Sequence, residues 1–413
     1  MAKPELILHI GKGKSGSSSL QKAFDDSAEI FRSGGIYCPR APKKRFGSAL
    51  YFCLESELVR GAILGETPVN LQNKTDSLVK EAIRQFKKSN CKKMLISEER
   101  LSTIPNLYKF IDVVQEKAVS NDGKKDLFRR FQRYEDSYIN KLNRLKQLFN
   151  DFDVKIVCYL RRQDLFIESG YNQLHKTIHR RQKYYDSLRE CRGYQKLILN
   201  SMEEKSSRLL SPYMDIDYFH DFYLYNFKNT CDYKKLCLWA DVFGKENIIV
   251  KPFEKGQFRR GLVKDFFVDI LNVSEDKLTK LKELYVNEKI SHDLLEYLIK
   301  YEPPRECYNK EDLYNITRKL NNANNFQQYF TLRERIQLMD FHNEGNEKIA
   351  REFLGREDGV LFYEEIGTKE EKYPGLSDET KLFLDREFKQ LLSSRKRHVT
   401  ALKQIVLRWI RRA

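Results

Sequence analysis

Three short stretches of the chain hold side chains suited to moving a charged group: "GKGKSGSSS" at 11–19, "SEERLS" at 97–102 and "YLRRQDLFIES" at 159–169. In the first, a glycine-rich turn runs from an apolar stretch into a helical pattern, which would aim backbone amides and the positive end of a helix at one anion. Ser15, Ser17, Ser18 and Ser19 add hydroxyl donors and Lys14 adds a point charge. Gly11 and Gly16 have the Walker A spacing, but Ser17 stands where that motif needs lysine, and the lysine is moved to position 14. A plainer alternative is a Gly/Ser turn with Ser17 or Ser18 as helix N-cap.

The second stretch offers two adjacent carboxylates, Glu98 and Glu99, as general bases. Neighbours leaving a strand point in different directions, so spacing alone does not choose between them. Both glutamates would equally suit the first turn of a solvated helix. The third stretch offers Arg161, with Arg162 as its rival, and Ser169 eight residues after Arg161. An arginine fork binds phosphate through parallel hydrogen bonds, and a serine two turns along the next helix can face the same pocket.

These segments have to be positioned by strands. Short aliphatic runs predict strands at Leu6–Ile10, Lys93–Ser97, Val154–Leu160 and Asn247–Lys251, with helical patterns between them. That alternation predicts an α/β fold with a parallel sheet covered on both faces, which binds ligands beyond the carboxyl ends of its strands. A fourth stretch, "PFEKGQFRRG" at 252–261, also follows a strand, so all four are expected around one crevice. A basic surface turn is the bland alternative for this last stretch.

The run "KSGSSSLQKAF" resembles the loop K-[ST]-G-[ST]-[ST] of the sulfotransferases that use 3′-phosphoadenosine 5′-phosphosulfate (PAPS), in particular their bacterial carbohydrate-type members. "YLRRQDLFIESGYNQ" resembles the same family's 3′-phosphate element, with Arg161 the arginine in register, and "SEERL" its S-[SA]-E-x-L pattern. One departure is Gly13, where those relatives often carry His. The resemblance covers roughly residues 5–270 through separated motifs. It implies a P-loop-type three-layer fold and sulfonate transfer from PAPS to a carbohydrate hydroxyl of a glycan, polysaccharide or glycolipid, leaving adenosine 3′,5′-bisphosphate.

In that frame Lys14 meets the charge on the leaving phosphate and Glu99, with Glu98 as alternate, is the base. The resemblance implies that Lys14, Ser15, Gly16, Ser17, Ser18, Ser19, Arg161 and Ser169 hold the nucleotide, and "ENIIVKPFEKGQFRRG" looks like the family's late strand and basic loop, which implies the same for Lys255, Gly256 and Arg259 or Arg260. His175 and His179 stand one helical turn apart; a histidine base is a weaker option, and His175, Tyr171 and Asn172 are expected on the acceptor side. A sulfonate carries less charge than a phosphoryl group, so no metal is expected.

Composition bounds the rest. With 41% hydrophobic and 32% charged residues the 413-residue chain is globular, and its eight cysteines include no CxxC pair, against a zinc ribbon or disulfide framework. A net charge of +16 favours anionic ligands. No run of eighteen apolar residues and no leader-like start are seen, so a cytoplasmic protein is expected. The tail "RKRHVTALKQIVLRWIRRA" sets Val399, Leu402, Ile405, Val406, Trp409 and Ile410 largely on one helical face among basic residues, which predicts peripheral contact with an anionic membrane, or docking on the protein's own core. The expected organisation is a core at 1–290 with helical insertions at about 103–150 and 171–240, a helical part at 291–367, and a basic helical tail at 368–413. Competing functions are a P-loop ATP- or GTP-dependent kinase, and an inactive basic membrane or nucleic-acid adaptor; no nucleic-acid module is recognisable, so nucleic acid is not the expected partner.

Overall fold

The computed structural model describes residues 3–42, 44–64, 69–102, 134–176, 232–279, 290–301, 303–304, 308–320, 330–367 and 375–410. The chain forms two compact units. The first comprises Met1–Gln163, Phe227–Val286 and His342–Glu365, and the second Asp164–Asn226, Asn287–Phe341 and Ile366–Ala413.

The first unit is built on a five-stranded parallel sheet of β1 (Glu5–His9), β2 (Ile36–Tyr37), β5 (Lys93–Ser97), β6 (Asp153–Leu160) and β7 (Ile248–Pro252), in the order β2-β5-β1-β6-β7. Between β2 and β5 lies a short antiparallel ribbon of β3 (Arg40–Ala41) and β4 (Lys44–Arg45). The four strands expected from sequence are all present within a residue or so of their predicted ends. Edge strand β2 was not legible, since two residues carry no periodicity. Register pairs Leu8 with Ile96 on one side and Ile156 on the other, so β1 and β5 finish level while β6 runs on past them to Leu160.

Alternation along these strands divides the core into two faces. Leu6, Leu8, Ile10, Met94, Ile96, Ile156, Cys158, Leu160, Ile248 and Val250 join one cluster. It is closed by α3 (Phe46–Leu64), α4 (Val69–Lys88), α5 (Tyr134–Leu148), α7 (Asp232–Phe243) and the residues Ile349 and Ala350 of α11 (Leu332–Leu354). Ile7, Leu95, Val157 and Tyr159 face the other way. They pack under α1 (Ser17–Asp26), α2 (Ala28–Ser33) and the turn α8 (Leu262–Asp265), which continues as a π-helical turn, Phe266–Ile270. Aliphatic residues at both parities are what a sheet buried on both faces requires.

The second unit is helical among its described residues: α6 (Gln163–Lys176) from Asp164 on, α9 (His292–Tyr301), α10 (Lys310–Leu320), the first part of α11, and α12 (Asp378–Ile410). Asp164, Glu168 and Asn172 recur every four residues along one face of α6. The first two grip the buried Arg335. Asn172 holds the backbone of Ile290. Tyr297 stacks on Phe388 at 5.2 Å and donates its hydroxyl to Asp385, fastening α9 to α12. Helix α12 carries the expected helical tail, but the side chains of 395–410, on which the amphipathic reading rests, lie outside those described. Among the described residues no helix is long and apolar enough to cross a membrane.

Candidate functional site

The glycine-rich loop begins as an extension of β1. Ile10 donates its amide to the Val157 carbonyl at 2.9 Å and Lys12 to that of Tyr159 at 3.2 Å, so the chain stays in register with β6 as far as Lys12. It then turns back. The Lys12 carbonyl accepts from the Ser15 amide at 3.2 Å and from the Ser15 hydroxyl. Inside that turn Lys14 has φ 70°, and Gly16, the N-cap of α1, has φ 78°.

At Gly16 the positive φ is compounded by a close approach: a Cβ there would collide with Leu262 Cδ2 and come within 2.8 Å of the Phe253 ring. No side chain caps α1 among the described residues. The plainer alternative, Ser17 or Ser18 as N-cap, does not hold, because the cap is Gly16 and the Ser17 hydroxyl points to Glu99. Of the first-turn amides of α1, those of Ser19 and Leu20 bond the Gly16 carbonyl at 2.9 and 3.1 Å, while those of Ser17 and Ser18 stand at the helix end where no intrahelical carbonyl is in reach.

The Ser17 hydroxyl donates to Glu99 Oε2. Glu99 opens the 3₁₀ turn Glu99–Ser102 after β5, so this contact joins the loop to the neighbouring strand end. Glu98 takes the opposite direction. It follows Met94 and Ile96 in parity, is buried, and accepts from Ser48 Oγ at 2.7 Å and from Arg100 Nε and Nη2 at 2.6 and 2.9 Å. Helix α3 reaches this spot through Gly47, where a Cβ would meet the Ser97 carbonyl at 2.7 Å.

Burial would raise the Glu98 carboxyl, but the Arg100 and Ser48 hydrogen bonds outweigh it and hold its pKa below the usual range. Glu99 is shifted up, first by burial and then by the charge of Glu98, against the Ser17 hydrogen bond and the attraction of Lys14. Of the two glutamates, Glu99 is the one with the more basic carboxylate and the one that faces the loop.

The same alternation separates the arginines. Arg161 continues the face of Val157 and Tyr159, donates Nη1 to the Lys14 carbonyl at 2.7 Å, and sits 5.7 Å from the centre of the Phe253 ring. Arg162 continues the opposite face, is buried, and spends its guanidinium on the carbonyls of Glu364 and Glu365 at 2.8 and 3.1 Å. Ser169 is half-buried on α6 and belongs to the second unit.

After β7, Lys255, Gly256 and Arg259 are exposed on the turn that follows. Arg260 instead lies among Asp265, Asp269 and Glu275 within 3.2–3.3 Å, which accounts for its charge structurally. On α6, Asn172 is buried with both ends of its amide on Ile290, while the side chains of Tyr171 and His175, and all of His179, lie outside those described. Among the described residues no group of three or more His, Cys, Asp or Glu is gathered as a metal site.

Four residues not singled out from the sequence complete the surroundings. His9, fully buried at the end of β1, bonds through Nδ1 to Ser97 Oγ at 2.8 Å, and burial lowers its pKa to about 4. Lys12 is buried in an ion pair with Asp232. Lys141 on α5 lies behind the second strand end, 3.5 Å from the Arg100 carbonyl and between the rings of Tyr51 and Tyr138. Strand parity is the signal that would have found Lys12: after Leu6, Leu8 and Ile10, the next residue of that face is a cation, and it needs a buried acid.

No family model matches the chain, and no solved structure matches it. It is similar to an uncharacterized protein of Archaeoglobus fulgidus, with 28% identity over 231 residues, 55% of this chain and 53% of the relative. The chain thus spans about half the length of the relative it matches.

Proposed function

We propose that the protein is a PAPS-dependent sulfotransferase with a P-loop-type core, moving a sulfonate group to a carbohydrate hydroxyl. The observation that carries this reading is the hydrogen bond from Ser17 to Glu99, which sets a raised-pKa carboxylate against an anion-binding loop that also holds Lys14. The fit to a nucleotide phosphosulfate rests on three features: the N-terminus of α1, the left-handed Gly16 that lets the loop pack closely on Leu262 and Phe253 as it enters the helix, and Arg161 reaching back to the loop.

When bound, PAPS supplies an activated sulfonate on a phosphate leaving group. Glu99 takes the proton of the acceptor hydroxyl as its oxygen attacks sulfur, and a raised pKa makes it the better base. Lys14 and the first amides of α1 meet the negative charge that builds on the departing phosphate. Arg161, with Ser169 by analogy to the resembled motif, selects the 3′-phosphate that distinguishes this donor from ATP. Lys255, Gly256 and Arg259 extend the nucleotide site, and the acceptor side draws on the segment around His175.

A kinase reading has less support, because Ser17, in the Walker lysine position, is turned to a carboxylate. Calorimetry separates the two: the sulfotransferase reading expects adenosine 3′,5′-bisphosphate to bind at least tenfold more tightly than ATP, and preference for ATP, or no binding of either, would refute it.

A further inference from the structure

Lys12 shares the loop with Lys14 and does different work. Its side chain follows Leu6, Leu8 and Ile10 into the face closed by α7, where Nζ lies 2.9 and 2.8 Å from the two carboxylate oxygens of Asp232. Both residues are only 6% exposed. Asp232 is the first residue of α7, so the helix N-terminus reinforces its negative charge. His342 on α11 lies in the field of Lys12 and is itself buried.

The backbone of Lys12 is equally committed. Its amide is held by Tyr159 and its carbonyl accepts from the amide and hydroxyl of Ser15. Two residues on, Arg161 holds the Lys14 carbonyl. The turn is thus fastened at Lys12 and again at Lys14, which is kept left-handed, a conformation that persists in an L-residue only where its surroundings over-determine it.

We propose that Lys12 and Asp232 are positioning residues, whose buried ion pair holds the Lys12–Ser15 turn in the shape that presents Lys14 and the first amides of α1 to an anion. This rests on the reading of the loop as an anion site. A pair serving the fold alone is distinguishable, because replacing a buried ion pair by apolar side chains of similar size is often neutral or stabilising.

The test is the full chain carrying Lys12→Met with Asp232→Leu, beside Asp232→Asn and Lys12→Arg. Hydrogen exchange is followed at residues 13–18 without ligand, and adenosine 3′,5′-bisphosphate is titrated in parallel. The apolar pair is expected to melt at or above the wild-type temperature, while its loop amides exchange at least tenfold faster and its affinity falls at least tenfold. Asp232→Asn should move the same way, and Lys12→Arg should keep both properties. Wild-type exchange in a folded double variant would overturn the proposal; so would a double variant and an Asp232→Asn variant that both unfold, since the pair would then serve the whole fold. Failure of the wild type to bind the bisphosphate would count against the sulfotransferase reading, and the ligand-free exchange would still decide the role of the pair.

Discussion

The hydroxyl of Ser17, at the start of α1, is bonded to the carboxylate of Glu99, at the start of the turn after β5. Two segments 82 residues apart are brought together because β1 and β5 are adjacent and parallel, so their carboxyl ends finish side by side. In the proposed transfer to a hydroxyl, one strand would supply the base and its neighbour the anion cradle.

Glu99→Gln is expected to lower sulfonate transfer to a glycan acceptor by about 10²–10⁴-fold, the range for a general base, with bisphosphate affinity within a few-fold of wild type. Glu98→Gln should do the reverse: it takes the charge from the buried partner of the half-buried Arg100 and costs on the order of 1–3 kcal/mol of stability, with transfer retained in the folded protein. Transfer assays with labelled donor and urea unfolding of both variants check the pair. Equal loss of transfer in both would remove the distinction.

Gly16→Ala adds a Cβ where Leu262 and Phe253 already stand, at a φ of 78°. Left-handed strain of roughly 1–2 kcal/mol and overpacking of about 1–3 kcal/mol should act together. Gly13→Ala is the control, since nothing lies within 4 Å of a Cβ there. Thermal melts should separate the two, and similar melting temperatures would mean that the loop packs differently against α8.

Burial drives Lys141 down to about 7, against the pull of Glu55 and Glu98. In the unfolded chain the amine binds its proton up to about pH 10.5, whereas in the fold it releases it above about pH 7. The unfolded state therefore binds more protons between these values, and stability rises with pH by about 1.4 kcal/mol per unit from this group. Urea unfolding from pH 7 to 9 should show that slope in the wild type and a flatter one in Lys141→Met. Identical slopes would show that Lys141 stays charged in the fold.

The central strands were legible because each strand of a doubly covered sheet is a largely aliphatic run. What spacing could not decide was the direction of each doublet. Glu98 and Glu99, and Arg161 and Arg162, differ only in parity, and parity assigns a face only once α1 is known to cover Ile7, Leu95 and Tyr159 rather than Leu8, Ile96 and Leu160. Lys12 escaped notice because its partner, Asp232, is 220 residues away. Asn172, expected near the acceptor, gives its amide to Ile290, a backbone contact that no side-chain pattern announces.

The most direct measurement is a paired titration of adenosine 3′,5′-bisphosphate and adenosine 5′-monophosphate against the wild type and Arg161→Ala. A guanidinium on the 3′-phosphate is worth about 1.5–3 kcal/mol, so the wild type should prefer the bisphosphate by roughly 10–100-fold and Arg161→Ala should bind the two nearly alike. Equal affinities in the wild type, or a preference that survives Arg161→Ala, would contradict the assignment of Arg161 and, with it, the case for PAPS as donor.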